Sequence, residues 1–110
     1  MEAVKFRVQG SAEEPYEVTF RRDGANLSAF CTCPAGDAGQ YCKHRFGILE
    51  GSTAGIVSGN ADQVGTVVGW LPGTDVAAAM SALAAAERDL ERAKKAVSVA
   101  RKGVAAAMRS

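Results

Sequence analysis

Histidine occurs once in this 110-residue chain and cysteine only three times. Three thiols cannot all pair, and so few of them build no disulfide framework. The expectation is a cytoplasmic protein whose thiols stay reduced. No uninterrupted apolar run approaches the ~18 to 20 residues that a membrane span needs, so no membrane partner is expected. The opening MEAVKFRVQG lacks the basic segment and apolar run of a secretory signal. The length leaves room for one small domain and an extension, not for a two-domain enzyme. An excess of one charge is missing as well, since the net charge is only +1. That is far from the strongly basic balance of a dedicated nucleic-acid binder. The distribution is uneven, however. Residues 1–50 hold six basic and seven acidic side chains, whereas Arg92, Lys94, Lys95, Arg101, Lys102 and Arg109 close the chain with no acid among them.

VKFRVQ (Val4–Gln9) and YEVTFR (Tyr16–Arg21) alternate apolar with polar side chains, the period of a strand buried on one face. Val4, Phe6 and Val8 should face inward with Tyr16, Val18 and Phe20. Pro15 ends the connection between them as loop. Asp23-Gly24 signals a tight turn, and NLSAF returns as a third strand that delivers the chain to Cys31. Phe46, Ile48 and Leu49 suit one or two helical turns that end near Gly51. Val64, Val67, Val68 and Leu71 mark another helix, with Asn60 and Gln63 spaced as a capping box. Tyr41 and Trp70 have no evident place in these patterns.

From Asp75 to Arg109 there is no proline, one glycine and thirteen alanines, a strong helix former. Thr74 or Asp75 would cap it. Read in sevens, Val76, Leu83, Leu90, Val97 and Val104 form one column, and Ala79, Ala86, Ala93, Ala100 and Ala107 form the column three residues on. Ser81, Arg88, Lys95, Lys102 and Arg109 fall on the far face. This is a heptad seam with aliphatic a and alanine d positions. Such a helix is a rod of about 50 Å, too long for a head about 30 Å across to cover. Leu83, Leu90, Val97 and Val104 would then lie exposed in a row unless a partner covers them.

All three cysteines and the histidine fall within CTCPAGDAGQYCKH, as Cys31-x-Cys33, eight residues, Cys42-x-His44. Thiolate and imidazole are the preferred donors for tetrahedral zinc. A bend at Pro34, with Gly36 and Gly39 in the loop, lets a strand end and a helix start share one ion. A Cys31–Cys33 disulfide would be strained and would leave a thiol over. Cys42 with His44 as nucleophile and base would leave Cys31 and Cys33 unexplained and has no orienting partner. Four protein donors close the coordination sphere, so one structural Zn2+ is expected, with no catalytic residue and no small-molecule substrate. A head of about 74 residues is marginal on its core alone. Structural zinc adds of order 10 kcal/mol of apparent binding energy to folding.

With its hairpin ending in FCTCP and CKHR leading a helix, the pattern resembles the SWIM-type zinc finger, found in bacterial ATPases, plant Mutator transposases and a vertebrate MAP-kinase kinase kinase. The resemblance covers roughly residues 16–50 and implies a small free-standing, bacterial-type member with Cys31, Cys33, Cys42 and His44 as zinc ligands. It also implies DNA binding or protein contact, without choosing between them. The long alanine seam lies outside the finger pattern. Together these readings predict an α+β fold: a small antiparallel meander with a zinc-stapled ββα finger, a short helix and a long C-terminal helix. The divisions are a finger head over 1–51, a glycine-rich connector with the short helix over 52–74, and the heptad helix over 75–109. The function expected is a non-enzymatic protein-interaction or assembly module that forms a homodimer through 76–107. DNA binding through Arg21, Arg22, Lys43, Arg45 and the basic helix tail is the alternative.

Overall fold

The computed structural model describes residues 2–109. Three strands form one antiparallel sheet in the order β1-β2-β3: β1 Glu2–Val8, β2 Tyr16–Asp23 and β3 Asn26–Cys31. The register pairs Val4 with Phe20, Phe6 with Val18 and Val8 with Tyr16. The alternating apolar residues therefore share one face. Phe6, Val8, Val18 and Phe20 are buried there, while Val4 and Tyr16 are half-buried. Phe6 and Phe20 meet edge to face, ring centroids 6.1 Å apart. Gly24, with φ at +62°, makes the tight return between β2 and β3 that favours glycine.

Four helices follow: α1 Pro34–Asp37, α2 Lys43–Leu49, α3 Val64–Trp70 and α4 Asp75–Ala107. The first two are short and flank the cysteine loop. Ile48 and Leu49 of α2, with Val64, Val67 and Trp70 of α3, join the sheet's inner face and Leu27 in one core. Trp70, unassigned by sequence pattern, is thus a core residue.

Neither sheet edge is left bare. Along β1, Gln9 N–H donates to the Gly55 carbonyl, Val57 N–H donates to the Arg7 carbonyl, and Val8 bridges Ile56. Along β3, the Arg45 guanidinium donates to the Ala29 carbonyl at 3.1 Å, and Leu27 N–H donates to Asp75 Oδ1 at 3.1 Å. Such cover blocks edge-to-edge pairing of sheets.

The Asn60–Gln63 capping box does not form. Asn60 Nδ2 donates to the Lys5 carbonyl at 2.8 Å and to Gln63 Oε1 at 3.2 Å, and no side-chain cap bond is made. The oxygen that a cap would use, Asn60 Oδ1, instead accepts from the Ser58 hydroxyl, while Nδ2 satisfies a β1 carbonyl, so the side chain serves the connector and not the helix end. The chain instead enters α3 through a 3-10 turn, Ala61–Gln63.

The molecule divides into two compact units, Met1–Ala77 and Ala78–Ser110. Thr74 caps α4: its buried hydroxyl accepts from Ala77 N–H at 3.2 Å and donates to the Leu71 carbonyl. α4 has no buried residue. Leu83, Leu90, Val97 and Val104 are 42, 54, 49 and 55 % exposed. Among the described residues, no single helix is long and apolar enough to cross a membrane.

Candidate metal centre

The three cysteines and the histidine come from three adjacent pieces of backbone. Cys31 is the last residue of β3, Cys33 is the N-cap of α1, Cys42 is the N-cap of α2, and His44 lies in the first turn of α2. A strand that runs directly into a one-turn helix folds Cys31 and Cys33 toward the same point. Thr32 stands between them facing out, pinned to β2 in both directions. Its N–H donates to the Glu17 carbonyl at 3.0 Å, and its hydroxyl accepts from Glu17 N–H at 2.9 Å.

The donor atoms converge. Cys33 Sγ is 3.3 Å from Cys42 Sγ, and His44 Nδ1 is 3.7 Å from Cys31 Sγ and 3.6 Å from Cys42 Sγ. All four ligand atoms lie within 4.8 Å of one another. A tetrahedron with Zn–S arms of ~2.3 Å has S–S edges of about 3.8 Å. The cluster therefore has zinc dimensions. All three cysteines are buried and His44 is half-buried.

Thiol electrostatics point to a cation too. Burial, helped by the Cys33 and Cys42 thiols and the Cys42 charge, outweighs a backbone N–H bond from Cys33 and brings the Cys31 thiol up to about 12. Burial also opposes ionisation of Cys42. The Arg45 backbone N–H, then Cys33, Cys31 and His44, outweigh it and bring Cys42 down to about 6. A thiolate at Cys42 is thus favoured while one at Cys31 is suppressed. A divalent cation among the sulfurs removes that penalty and lets Cys31 bind as thiolate. The donor set fits one zinc ion held by Cys31, Cys33, Cys42 and His44. With four protein donors, the ion would serve a structural role.

Tyr16 and Arg45 escaped the sequence reading of this site, and Gly36, read there only as a loop glycine, also supports it. Gly36 N–H donates to Cys33 Sγ at 3.3 Å. Tyr16 packs on His44, ring centroids 5.2 Å apart. Arg45 reaches from α2 to the carbonyls of Ala29 and Gln40, bracing the cysteine loop against β3, and its Nε is buried with no hydrogen-bond partner among the described residues. The other cations named from sequence are scattered. Arg21 and Lys43 are exposed, whereas Arg22 is half-buried with Nε donating to the Gly24 carbonyl at 3.1 Å. Tyr41, exposed, stacks on Phe46 at 4.2 Å.

Gly10 permits the Tyr16–His44 contact. A Cβ there would lie 2.5 Å from Tyr16 Cε2 and 3.3 Å from His44 Nε2. Gly10→Ala should swing the tyrosine ring off the imidazole and loosen its orientation. Zinc affinity, read by competition with a chromophoric chelator, is expected to fall about tenfold, because residues that orient a ligand are worth 10- to 100-fold. An unchanged affinity would show that His44 needs no support from Tyr16.

Residues 6–50 match the family model described as the SWIM zinc finger. No curated protein and no solved structure matches the chain. A SWIM zinc finger is a binding module, not a catalytic domain, and modules of this kind mediate protein or DNA contacts. The matched segment takes in most of the sheet, the cysteine loop and α2, and within it Cys31, Cys33, Cys42 and His44 form a cluster able to hold one zinc ion, as the SWIM zinc finger model requires.

Proposed function

We propose that the chain is a non-enzymatic assembly module in which a zinc-stapled finger binds a protein partner and the long helix joins two copies. The observation that carries this reading is the closed donor set. Four side chains converge within 4.8 Å, so the ion they fit keeps no position for water or substrate. The exposed row Leu83, Leu90, Val97 and Val104 supports the second half. Three cysteines without a disulfide suit a reducing, cytoplasmic setting. The test is a paired capture from the native cell with wild-type chain and Cys42→Ser as baits. Proteins retained by the wild type and lost with Cys42→Ser are expected, and identical retention by both baits would remove the finger from partner binding.

A second reading, DNA binding, has one observation in its favour. On the outward sheet face, Lys5, Thr19 and Phe30 form one cross-strand row with Arg21 one row away on β2, and Phe30 is 59 % exposed. Cations beside an exposed ring suit phosphate and base. If this face binds, Arg21→Ala should weaken binding to mixed-sequence DNA and lower the salt slope by about one. Arg45 is unsuitable for such a test, because its loss would also release the cysteine loop. No anisotropy change at 50 mM salt, a condition that favours such contacts, would remove the DNA reading.

A further inference from the structure

We infer that α4 pairs with α4 of a second copy, antiparallel, about a two-fold axis lying between residues 91 and 92. This rests on the proposal that the helix joins two copies, and it fixes their direction and register.

The first argument is steric. The seam begins with an aliphatic residue, Val76, and ends with an alanine, Ala107. Reversing a second copy about the midpoint sets Val76 opposite Ala107, Ala79 opposite Val104, Leu83 opposite Ala100, Ala86 opposite Val97, and Leu90 opposite Ala93. Every layer then holds one aliphatic side chain and one alanine. Layers of equal width allow constant axis separation near the close end of the ~8–10 Å range. Parallel pairing would alternate Leu–Leu with Ala–Ala layers, and no single separation packs both. The match is a property of the helix with itself: each contact i to j is repeated as j to i, as an isologous interface requires.

Charge is the second argument. Residues 92–109 carry six cations and no carboxylate, while residues 75–91 carry Asp75, Glu87, Asp89 and Glu91 against Arg88 alone. Antiparallel pairing lays each cationic half along the other copy's acidic half, whereas parallel pairing lays the two cationic halves together. At the flank of the seam it brings Glu87 to Lys94 of the second copy, twice by symmetry. Within its own helix Lys94 reaches Glu91 at 3.9 Å, and both side chains are about two-thirds exposed. So exposed a contact is weak enough to be shared. In such a pair the two helix N-termini lie about 50 Å apart.

The test uses zinc-loaded full chain in sedimentation equilibrium from micromolar to 100 µM. Twice the chain mass of 11.4 kDa is expected. Leu90→Lys should give monomers with helicity and Trp70 emission unchanged. Direction is read by charge exchange. Glu87→Lys and Lys94→Glu should each weaken the dimer roughly tenfold, and the double exchange should restore it to within about threefold. In a parallel pair Asp89, not Glu87, faces Lys94. A silent Glu87→Lys with rescue of Lys94→Glu by Asp89→Lys would overturn the antiparallel register while leaving dimerisation standing. A helical monomer at every concentration would overturn both.

Discussion

Removing the metal is expected to unfold the finger while most of the helical signal survives. The head's apolar core is small, with Phe6, Val8, Val18, Phe20 and Leu27 from the sheet and Ile48, Leu49, Val64, Val67 and Trp70 from the helices. Only a few kcal/mol of net stability are typical at this size, whereas structural zinc supplies of order 10 kcal/mol. The ion would also tie the end of β3 to the start of α2. Far-UV dichroism is a poor witness, because α4 contributes 33 residues of helix, none of them buried. Trp70, the single tryptophan and 8 % exposed, reports the head alone. Excess chelator should shift its emission to the red at room temperature, with most of the 222 nm signal retained. Cys42→Ser should purify with much less than one zinc per chain and show the same red-shifted emission. Acidification should act in the same direction, since protons compete with the metal for the thiolates and affinity falls as pH falls. Trp70 emission indifferent to chelator, in material with far less than stoichiometric metal, would show that no ion holds this fold.

Much of this architecture is legible in one-dimensional pattern because the features that create it are periodic or local. Alternation at Phe6, Val8, Val18 and Phe20 encodes a one-sided sheet, and the register delivers those side chains to the core. The Cys-x-Cys and Cys-x-His pairs encode the donor cluster because each pair sits at one chain bend. The alanine content of α4 and its lack of proline encode one unbroken helix. What pattern does not reveal depends on approach through space. Arg45 reads as a surface cation beside a ligand, yet its guanidinium is spent on two carbonyls, one of them 16 residues away. Asn60 and Gln63 have capping-box spacing, but the Ser58 hydroxyl donates to the Asn60 Oδ1 that would cap, and the Lys5 carbonyl 55 residues earlier takes its Nδ2. Thr32 reads as a spacer between cysteines, and only the proximity of Glu17 makes it a double anchor. Local propensity yields in each case where a buried or edge backbone group needs a partner.

The other large effect is expected from a single methyl group at Gly36. Its φ is not positive, so alanine meets no conformational penalty there. The obstacle is contact. An added Cβ would lie 2.6 Å from the Cys31 carbonyl oxygen, 2.8 Å from Cys31 Cβ and 3.2 Å from Cys31 carbonyl carbon. These atoms belong to a ligand residue fixed at the end of β3, and no side-chain rotation moves them. Relief requires α1 to back away, which carries Cys33 from Cys42 and stretches the Gly36 N–H bond to Cys33 Sγ. Gly39, three residues on, makes the comparison. Its φ is +73° and an added methyl there would meet nothing within 4 Å, so Gly39→Ala should cost about 1–2 kcal/mol of backbone strain and leave the donor distances intact. Gly36→Ala is expected to lower zinc affinity by about 100-fold, the upper end for residues that position ligands. Gly39→Ala should lower the melting temperature with affinity changed much less. Chelator competition and Trp70-monitored melting on the two variants separate the cases. Affinity for Gly36→Ala within a few-fold of wild type would mean that the cluster does not depend on the approach of α1 to Cys31.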